Sequence, residues 1–307
     1  MFAQKTMAET ADLAGLPAGD KGRSLWQDAG QRFVRNKAAM ASVPVLLFVV
    51  LFASFGQFLT PWSNEEVDWS LLGQVYEEGG PSWENRHYFG VDETGRDLFA
   101  RTVQGSRISL MIGLIGALVA VIVGTTYGAV AGYVGGRTDQ LMMRLVDVLM
   151  SIPYMFVLIL LLVVFGRSMF MLFVGIGLIS WLDMARIVRG QTLSLKNTEF
   201  VEAAVATGVS TPVIIFRHIV PNLLGVVIVY ATLLVPSMII FESFISFLGL
   251  GVQEPLTSWG ALINQGADHM RYVGWMLGFP LLFFTVTLFA LFFIGDGLRD
   301  ALDPKDR

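Results

Sequence analysis

The residues of this chain that could do chemistry are few and scattered. Its three histidines, His87, His218 and His269, lie far apart, with no spacing that would gather them around a metal ion. It contains no cysteine, which removes disulfides, thiol catalysis and Cys-based metal sites. The carboxylates in or beside apolar stretches are Asp147, Asp183 and Glu242. Asp147 is expected near the inner end of its segment and Glu242 near the outer end of its own. Asp183 stands one helical turn before Arg186, its expected partner. None of the three is placed at mid-membrane, as a proton- or sodium-coupled carrier would require. No nucleophile–base constellation and no GxxxxGK[ST] phosphate loop is present. Neither intramembrane catalysis nor P-loop binding of ATP is therefore expected from this chain.

The elements that hold these residues are set by composition. Of 307 residues, 54% are hydrophobic and only 15% charged, far from the quarter that a soluble domain usually carries. Stretches free of charge run over 38–64, 108–136, 148–166, 168–182, 219–241 and 272–295. A helix of roughly 20 residues crosses the hydrocarbon core. The short stretch 168–182 reaches that length if Arg167 snorkels and the helix continues through Asp183 to about Val188. The expected fold is all-α, a polytopic membrane protein with six transmembrane helices. Residues 1–37 lack the pattern of a cleaved signal. Ser24 and Gln27 have capping-box spacing, and the segment after them suits a short helix lying in the inner interface. Simple flanking positive charge explains it equally well.

Lys and Arg bias orients the chain. With the N-terminus inside, 15 of the 21 basic residues fall on the cytoplasmic side, while the outer segment 61–104 carries nine acids against Arg86, Arg96 and Arg101. The expected order is a cytoplasmic segment 1–37, a first span over 38–60, the periplasmic segment 61–104, a core of five spans over 105–298 and a cytoplasmic tail 299–307. The acidic outer segment could meet a basic patch on an outside partner, although solvated loop chemistry explains it as well. In the second span Gly124, Gly128, Gly132 and Gly136 repeat every four residues and leave one helix face bare for close packing. Pro153 and Pro236 are expected to bend the third and fifth spans.

Between the fourth and fifth spans lies EFVEAAVATGVSTPVIIFRHIVPN, residues 199–222. Thr198 is placed to cap a helix over about 199–207, with Glu199 and Glu202 in its first turn, where the dipole favours anions. Ala203 and Ala204 are small enough for another surface to come close. Gly208 suits a left-handed stop, and Thr211-Pro212 reads as the start of a second helix that Pro221 either ends or bends into the fifth span. A connecting loop is normally shorter and carries less helix punctuation. The unit has the character of a compact knob for docking in a groove of another protein.

EAA-x3-G followed by HIVPN resembles the EAA loop of the inner-membrane permeases of binding-protein-dependent ABC importers. FGVDETGRDLFARTVQGSRISLMIG, AGYVGGRTDQLMMRLVDVLMSIPY, SWLDMARIVRGQTLSL, FESFISFLGLGVQEPLTSWGALI and IGDGLRDALDPKDR resemble the peptide-transporter branch of that family, in order from about residue 24 to the end. The resemblance implies the MetI-like permease fold in the bacterial inner membrane. It implies a homologous permease partner, two ATPase subunits and a periplasmic peptide-binding protein, all around a lipid-embedded pore with no nucleic-acid partner. ATP and magnesium would belong to the ATPase subunits, and this chain would hold no cofactor and catalyse nothing. By position, the coupling loop spans 190–221: Glu199, Glu202, Ala203, Ala204 and Gly208 would engage the ATPase, with His218 and Pro221 closing the motif. The chain departs from many relatives at Val205, where a basic residue is common, and at Val91, where Thr is common. Dipeptide, nickel and glutathione permeases of the same branch remain open alternatives.

Overall fold

The computed structural model describes residues 25–302. The Ser24 side of the expected capping box lies outside the described residues. The helices are α1 (Leu25–Arg35), α2 (Lys37–Leu59), α3 (Val75–Glu78), α4 (Leu98–Val134), α5 (Gly136–Ser151) and α6 (Tyr154–Phe165). They continue as α7 (Met169–Leu195), α8 (Glu199–Ala206), α9 (Thr211–Phe247), α10 (Trp259–His269) and α11 (Gly274–Leu302). Among the described residues there are no strands, only isolated bridges such as Val67 with Arg96 and Val91 with Asp97.

Five helices, α2, α4, α7, α9 and α11, are long and apolar enough to cross a membrane, and α5 with α6 makes a sixth span only if counted together. The expected third span is therefore not one bent helix. It is two helices at 75° to one another, broken at Ser151–Pro153. Pro153 lacks an N–H and disfavours helical geometry in the residue before it, so the ladder stops there. Ile152 and Pro153 are extended, and the helix restarts at Tyr154. Pro236, by contrast, sits buried within α9 without a break. The fourth span extends well beyond Val188, to Leu195, and α4 begins at Leu98, so its first turns lie inside the stretch expected to be outer segment.

Glycine decides how α4 meets α7. A Cβ on Gly124 would lie 2.6 Å from Met184 Cβ, one on Gly132 2.8 Å from Thr192 Cβ, and one on Gly128 would strike the carbonyl of Ala185. Only a bare face allows this approach, and van der Waals contact is what holds helices together where lipid is as apolar as the side chains. Gly136 does not belong to that face. It starts α5 at φ +58°, and a Cβ placed on it would meet nothing within 4 Å. The four-residue spacing continues through Gly136, but the helix does not: α4 ends at Val134 and the chain turns at Gly135.

The end of the bundle opposite residues 196–222 is closed by the segment 61–97 and by the stretch between α9 and α11. Asp97 caps α4 by accepting from Ala100 N at 2.8 Å, and its other oxygen lies 2.8 Å from His87 Nδ1. Glu242, fully buried, accepts from Ser109 at 3.0 Å and from Ser246 at 2.6 Å. Trp259 donates its backbone N–H to the same Ser109 and its indole N–H to Ser106 at 3.0 Å, so α4, α9 and α10 share one polar knot.

Candidate coupling knob and inner cleft

Residues 196–222 form a knob at the end of the bundle where α4 stops and α7 runs out. Lys196 Nζ donates to the carbonyl of Gly132 at 3.4 Å, which ties the base of the knob to α4. Thr198 stands at the expected N-cap in extended conformation, but its hydroxyl turns back and donates to Leu195 O at 2.6 Å. The first turn of α8 is instead closed by the Thr198 carbonyl, which accepts from Val201 N and Glu202 N. At the other end Gly208 has φ +78°; its N–H reaches Val205 O and Val209 N reaches Ala204 O at 3.1 Å. That pair of bonds is a Schellman closure, and the left-handed residue it needs is the reason for glycine at 208.

Of the two outcomes expected at Pro221, the helix after Gly208 is not ended there but runs on into the fifth span. Thr211–Phe247 is one continuous run, wide-wound over Ile214–Ile219, where Val220 N bonds back to Ile215 O. Pro221 has no N–H to give and its ring crowds the turn before it, so one widened turn absorbs the residue without a break. The knob is thereby fused to a spanning helix. Asn222 Nδ2 donates to the carbonyl of half-buried His218, satisfying an acceptor in that turn.

Packing divides the knob into an inner and an outer face. Val201 and Ala204 are buried in a cluster with Ile214, Ile215, Ile219 and Leu223 of α9 and with Ala129, Met184 and Val188 of the spans. Ala204 therefore holds the knob to its own chain, contrary to the expectation that it offers room to another surface. Glu199, Glu202 and Ala203 are exposed, as are the apolar Phe200, Val205, Val213 and Phe216. A cavity of about 560 Å³ lies beside this face, lined by Tyr133, Lys196, Asn197, Glu202, Val205 and Thr211. Arg217 shares the exposed side. Acids in the first turn, a bare Ala203 and several exposed apolar side chains give a small convex surface with both charge and greasy contact to offer.

A second polar site lies between α5 and α7, built from residues of two of the quoted motifs. Arg189 grips Asp139 with two hydrogen bonds of 2.6 Å each, and Arg186 pairs with Asp147. Arg186 thus bonds across to the neighbouring helix, and the expected pair with Asp183 does not form. One turn along a helix brings two Cα atoms close, but the side chains leave at different angles, and Asp147 offers a facing partner. A cavity of about 730 Å³ opens over these residues, with Gln140, Met143 and Arg144 completing the wall. The signal in the sequence was Asp and Arg recurring over 137–147 in a chain otherwise so apolar.

At the end of the bundle opposite the knob, three of the nine acids of 61–104, Asp68, Asp92 and Asp97, are committed within the chain. Asp92 accepts from Thr94 N, Arg96 N and Arg96 Nε, and Arg96 and Arg101 both reach Glu254. His87 is buried with Asp97 on one ring nitrogen and Asp68 Oδ2 on the other at 3.3 Å, under the ring of Trp62 at 4.4 Å. Burial works against charge on His87, but the hydrogen bonds to Asp97 and Asp68 outweigh it and raise its pKa. Arg96, acting through its hydrogen bond, lowers the pKa of Glu254. Of the nine acids, Glu65, Glu66, Glu77, Glu78 and Glu84 stay exposed for any outside contact. No group of three or more potential metal ligands occurs among the described residues.

Comparison with known proteins supplies the family. Residues 124–307 match the family model described as binding-protein-dependent transport system inner membrane component, and residues 24–73 match the N-terminal TM domain of oligopeptide transport permease C. The chain is 56% identical over its whole length, and that of the relative, to the oligopeptide transport system permease protein OppC of Escherichia coli. It is 55% identical to OppC of Haemophilus influenzae, over 94% of this chain and 91% of the relative. To the dipeptide transport system permease protein DppC of Bacillus subtilis it is 45% identical, over 92% of this chain and 87% of the relative. Its spanning helices, its MetI-like all-α core and these full-length likenesses agree: the chain belongs to the family of binding-protein-dependent transport system inner membrane components, multi-pass proteins of the inner membrane.

Proposed function

We propose that this chain is a membrane-spanning permease subunit of an ATP-driven importer for oligopeptides, and that the knob carries the work of ATP hydrolysis into the membrane. The observation that carries the reading is the build of the knob. Its inner face is buried on α9, its outer face (Glu199, Phe200, Glu202, Ala203, Val205) is exposed, and the following helix runs without a break through the membrane. A push on α8 would pass to α9 as a rigid lever, because a packed core transmits displacement. The names of the relatives support peptides as cargo.

In this reading the chain pairs with a homologous permease, two ATPase subunits seat the knobs, and a periplasmic binding protein delivers the peptide. Glu199, Glu202 and Ala203 meet the ATPase; Gly208 fixes the return of the chain; Ala204, His218 and Pro221 set the angle between knob and span. The knob and both termini lie in the cytoplasm, a placement supported by the basic-residue count. ATP and magnesium belong to the ATPase subunits, and the purified chain alone is expected to hydrolyse no ATP.

The test is a reconstituted complex carrying Gly208→Val or Ala203→Glu. Gly208→Val forces a branched side chain into a left-handed position, at a local cost of about 1–2 kcal/mol, which loosens the knob while leaving the spans inserted. Peptide uptake is expected to fall while ATP hydrolysis continues. Normal uptake by both variants would sink the coupling role. The likeness to a dipeptide permease favours one competing cargo, and uptake scanned by peptide length separates them: transport of dipeptides alone would move the assignment to that neighbouring branch.

A further inference from the structure

The helix pair α5–α6 borders two different media. Along α5, Gln140, Arg144, Asp147 and Ser151 recur at spacings of four, three and four, which places them on one flank, and all four are exposed. Leu141, Leu145 and Val148 are also exposed, on a second flank at 75%, 50% and 52%. An apolar flank suits lipid or a partner helix. The charged flank does not, since charges within spans face water or the bundle interior.

The depth of this polar stripe separates it from an ordinary surface helix. Its start is at the knob end, directly after α4 stops. Its far end is the break at Ser151–Pro153, and Tyr154, just beyond, lines a small cavity with Ile179 and Ser180. Those two residues lie near the middle of α7, which runs from Met169 to Leu195. The stripe runs about 16 Å along α5, for the 11 steps from Gln140 to Ser151 at the rise of an α-helix, and leads from the knob end toward the middle of α7. On the facing helix Asp183 and Arg186 are exposed as well. The cleft between the two helices is the cavity of about 730 Å³ described above.

Its charges are arranged for an ionic guest. Two of its three arginines are committed, Arg189 to Asp139 and Arg186 to Asp147. Arg144 makes no ion pair among the described residues and is exposed over the cleft. Arg186 and Asp147 are about half exposed, at 46% and 57%, so their pair can open to a competing partner. A guest with one ammonium and one carboxylate would match this wall: Arg144 for the anion, Asp147 for the cation. Main-chain termini of a short peptide are such a guest.

We propose that the α5–α7 cleft is the inner, water-filled half of the translocation route and that Arg144 receives the carboxylate end of the peptide on its way out. The cargo half of this inference rests on the importer reading; the aqueous route rests on depth and exposure alone. The chain has no cysteine of its own, so single cysteines introduced into it report cleanly when it is identified by mass. In the nucleotide-free reconstituted complex, Ser151→Cys is expected to react with a membrane-impermeant thiol reagent at least about tenfold faster than Phe156→Cys, because thiolate forms in water and not in lipid. Phe156 is 71% exposed, beyond the break on α6. Equal, slow reaction of both would overturn the aqueous route.

Arg144→Gln tests the guest without breaking either ion pair. Uptake of a tripeptide with a free carboxylate is expected to drop about tenfold or more, the scale for losing a hydrogen bond to a charged group, while its C-terminal amide is carried as by wild type. An equal drop for both peptides, or none for either, rejects the carboxylate assignment. Absence of uptake by the wild-type complex would instead reject the importer reading and leave the cysteine result standing on its own.

Discussion

The two ends of this molecule spend their polar residues differently. At the end away from the knob, Asp92, Arg96, Arg101 and Glu254 are locked together, His87 is clamped between Asp68 and Asp97, and Trp275 donates its indole N–H to Val91 O at 3.2 Å. At the knob end, α8 is held by apolar contacts, and its acids are exposed and make no ion pair among the described residues. One end is finished by internal bonds; the other presents its surface for contact. If the knob carries force as proposed above, its greasy anchor and free outer face suit that work, whereas self-contained charge pairs hold the shape of the opposite end.

Removing Asp92 should break this contrast most severely. Asp92 is buried and holds Arg96 together with the N–H groups of Thr94 and Arg96, with Arg101 Nε at 3.3 Å. Asp92→Ala leaves buried arginine charge short of its partner and is expected to cost about 3–5 kcal/mol, seen as a fall in melting temperature of the detergent-solubilised chain. A variant as stable as wild type would mean that the outer cap is not held by these pairs.

The His87 clamp should respond to pH. Both ring nitrogens face carboxylate oxygens, and a neutral imidazole can donate to only one of them, so the bridge is complete only when His87 is charged. Its raised pKa means that the bridge is intact below the ordinary histidine value and is lost as pH rises through the raised one. Asp68 acts in the opposite sense: burial opposes its charge, but the hydrogen bonds from Ser70 and His87 lower its pKa, and its share is lost only as pH falls through that depressed value. Amide exchange of residues 63–71 is expected to quicken on raising pH beyond what the intrinsic rate explains. His87→Ala should abolish that excess, and an unchanged excess would refute the clamp.

The smallest effect on stability is expected at the knob. Glu202 is exposed, so Glu202→Ala should shift stability by less than about 0.5 kcal/mol, while lowering peptide uptake by the assembled complex. A large loss of stability would erase the proposed difference between the ends. Unchanged stability with unchanged uptake would leave the knob's acids without a coupling role.

Much of the architecture was written in the order of residues. Charge-free runs place the spans because no other element tolerates so many apolar residues in a row, and Gly208 marks the end of α8 because only glycine enters the left-handed region cheaply. Gly124, Gly128 and Gly132 announce a close helix contact by spacing alone. Local punctuation of this kind depends on a few neighbouring residues, so it survives without knowledge of the fold.

Tertiary structure decided the rest, wherever the outcome depends on what stands opposite. Arg186 takes Asp147 in place of Asp183 because a facing helix offers better geometry than its own next turn. Ala204 turns inward because Ile214 and Ile215 are there to cover it, and Gly136 drops out of the glycine face because the chain has already left α4. Pro153 breaks its span where Pro236 and Pro221 do not, and at Pro221 a widened turn absorbs the missing donor. The sequence by itself determined which segments are apolar enough to enter the membrane and, at Gly208, where α8 stops, through hydrophobic length and backbone freedom. Only the folded bundle decided which charges meet, which face the knob turns outward, and how deep the polar stripe of α5 reaches, because those follow from distances between segments that no local pattern encodes.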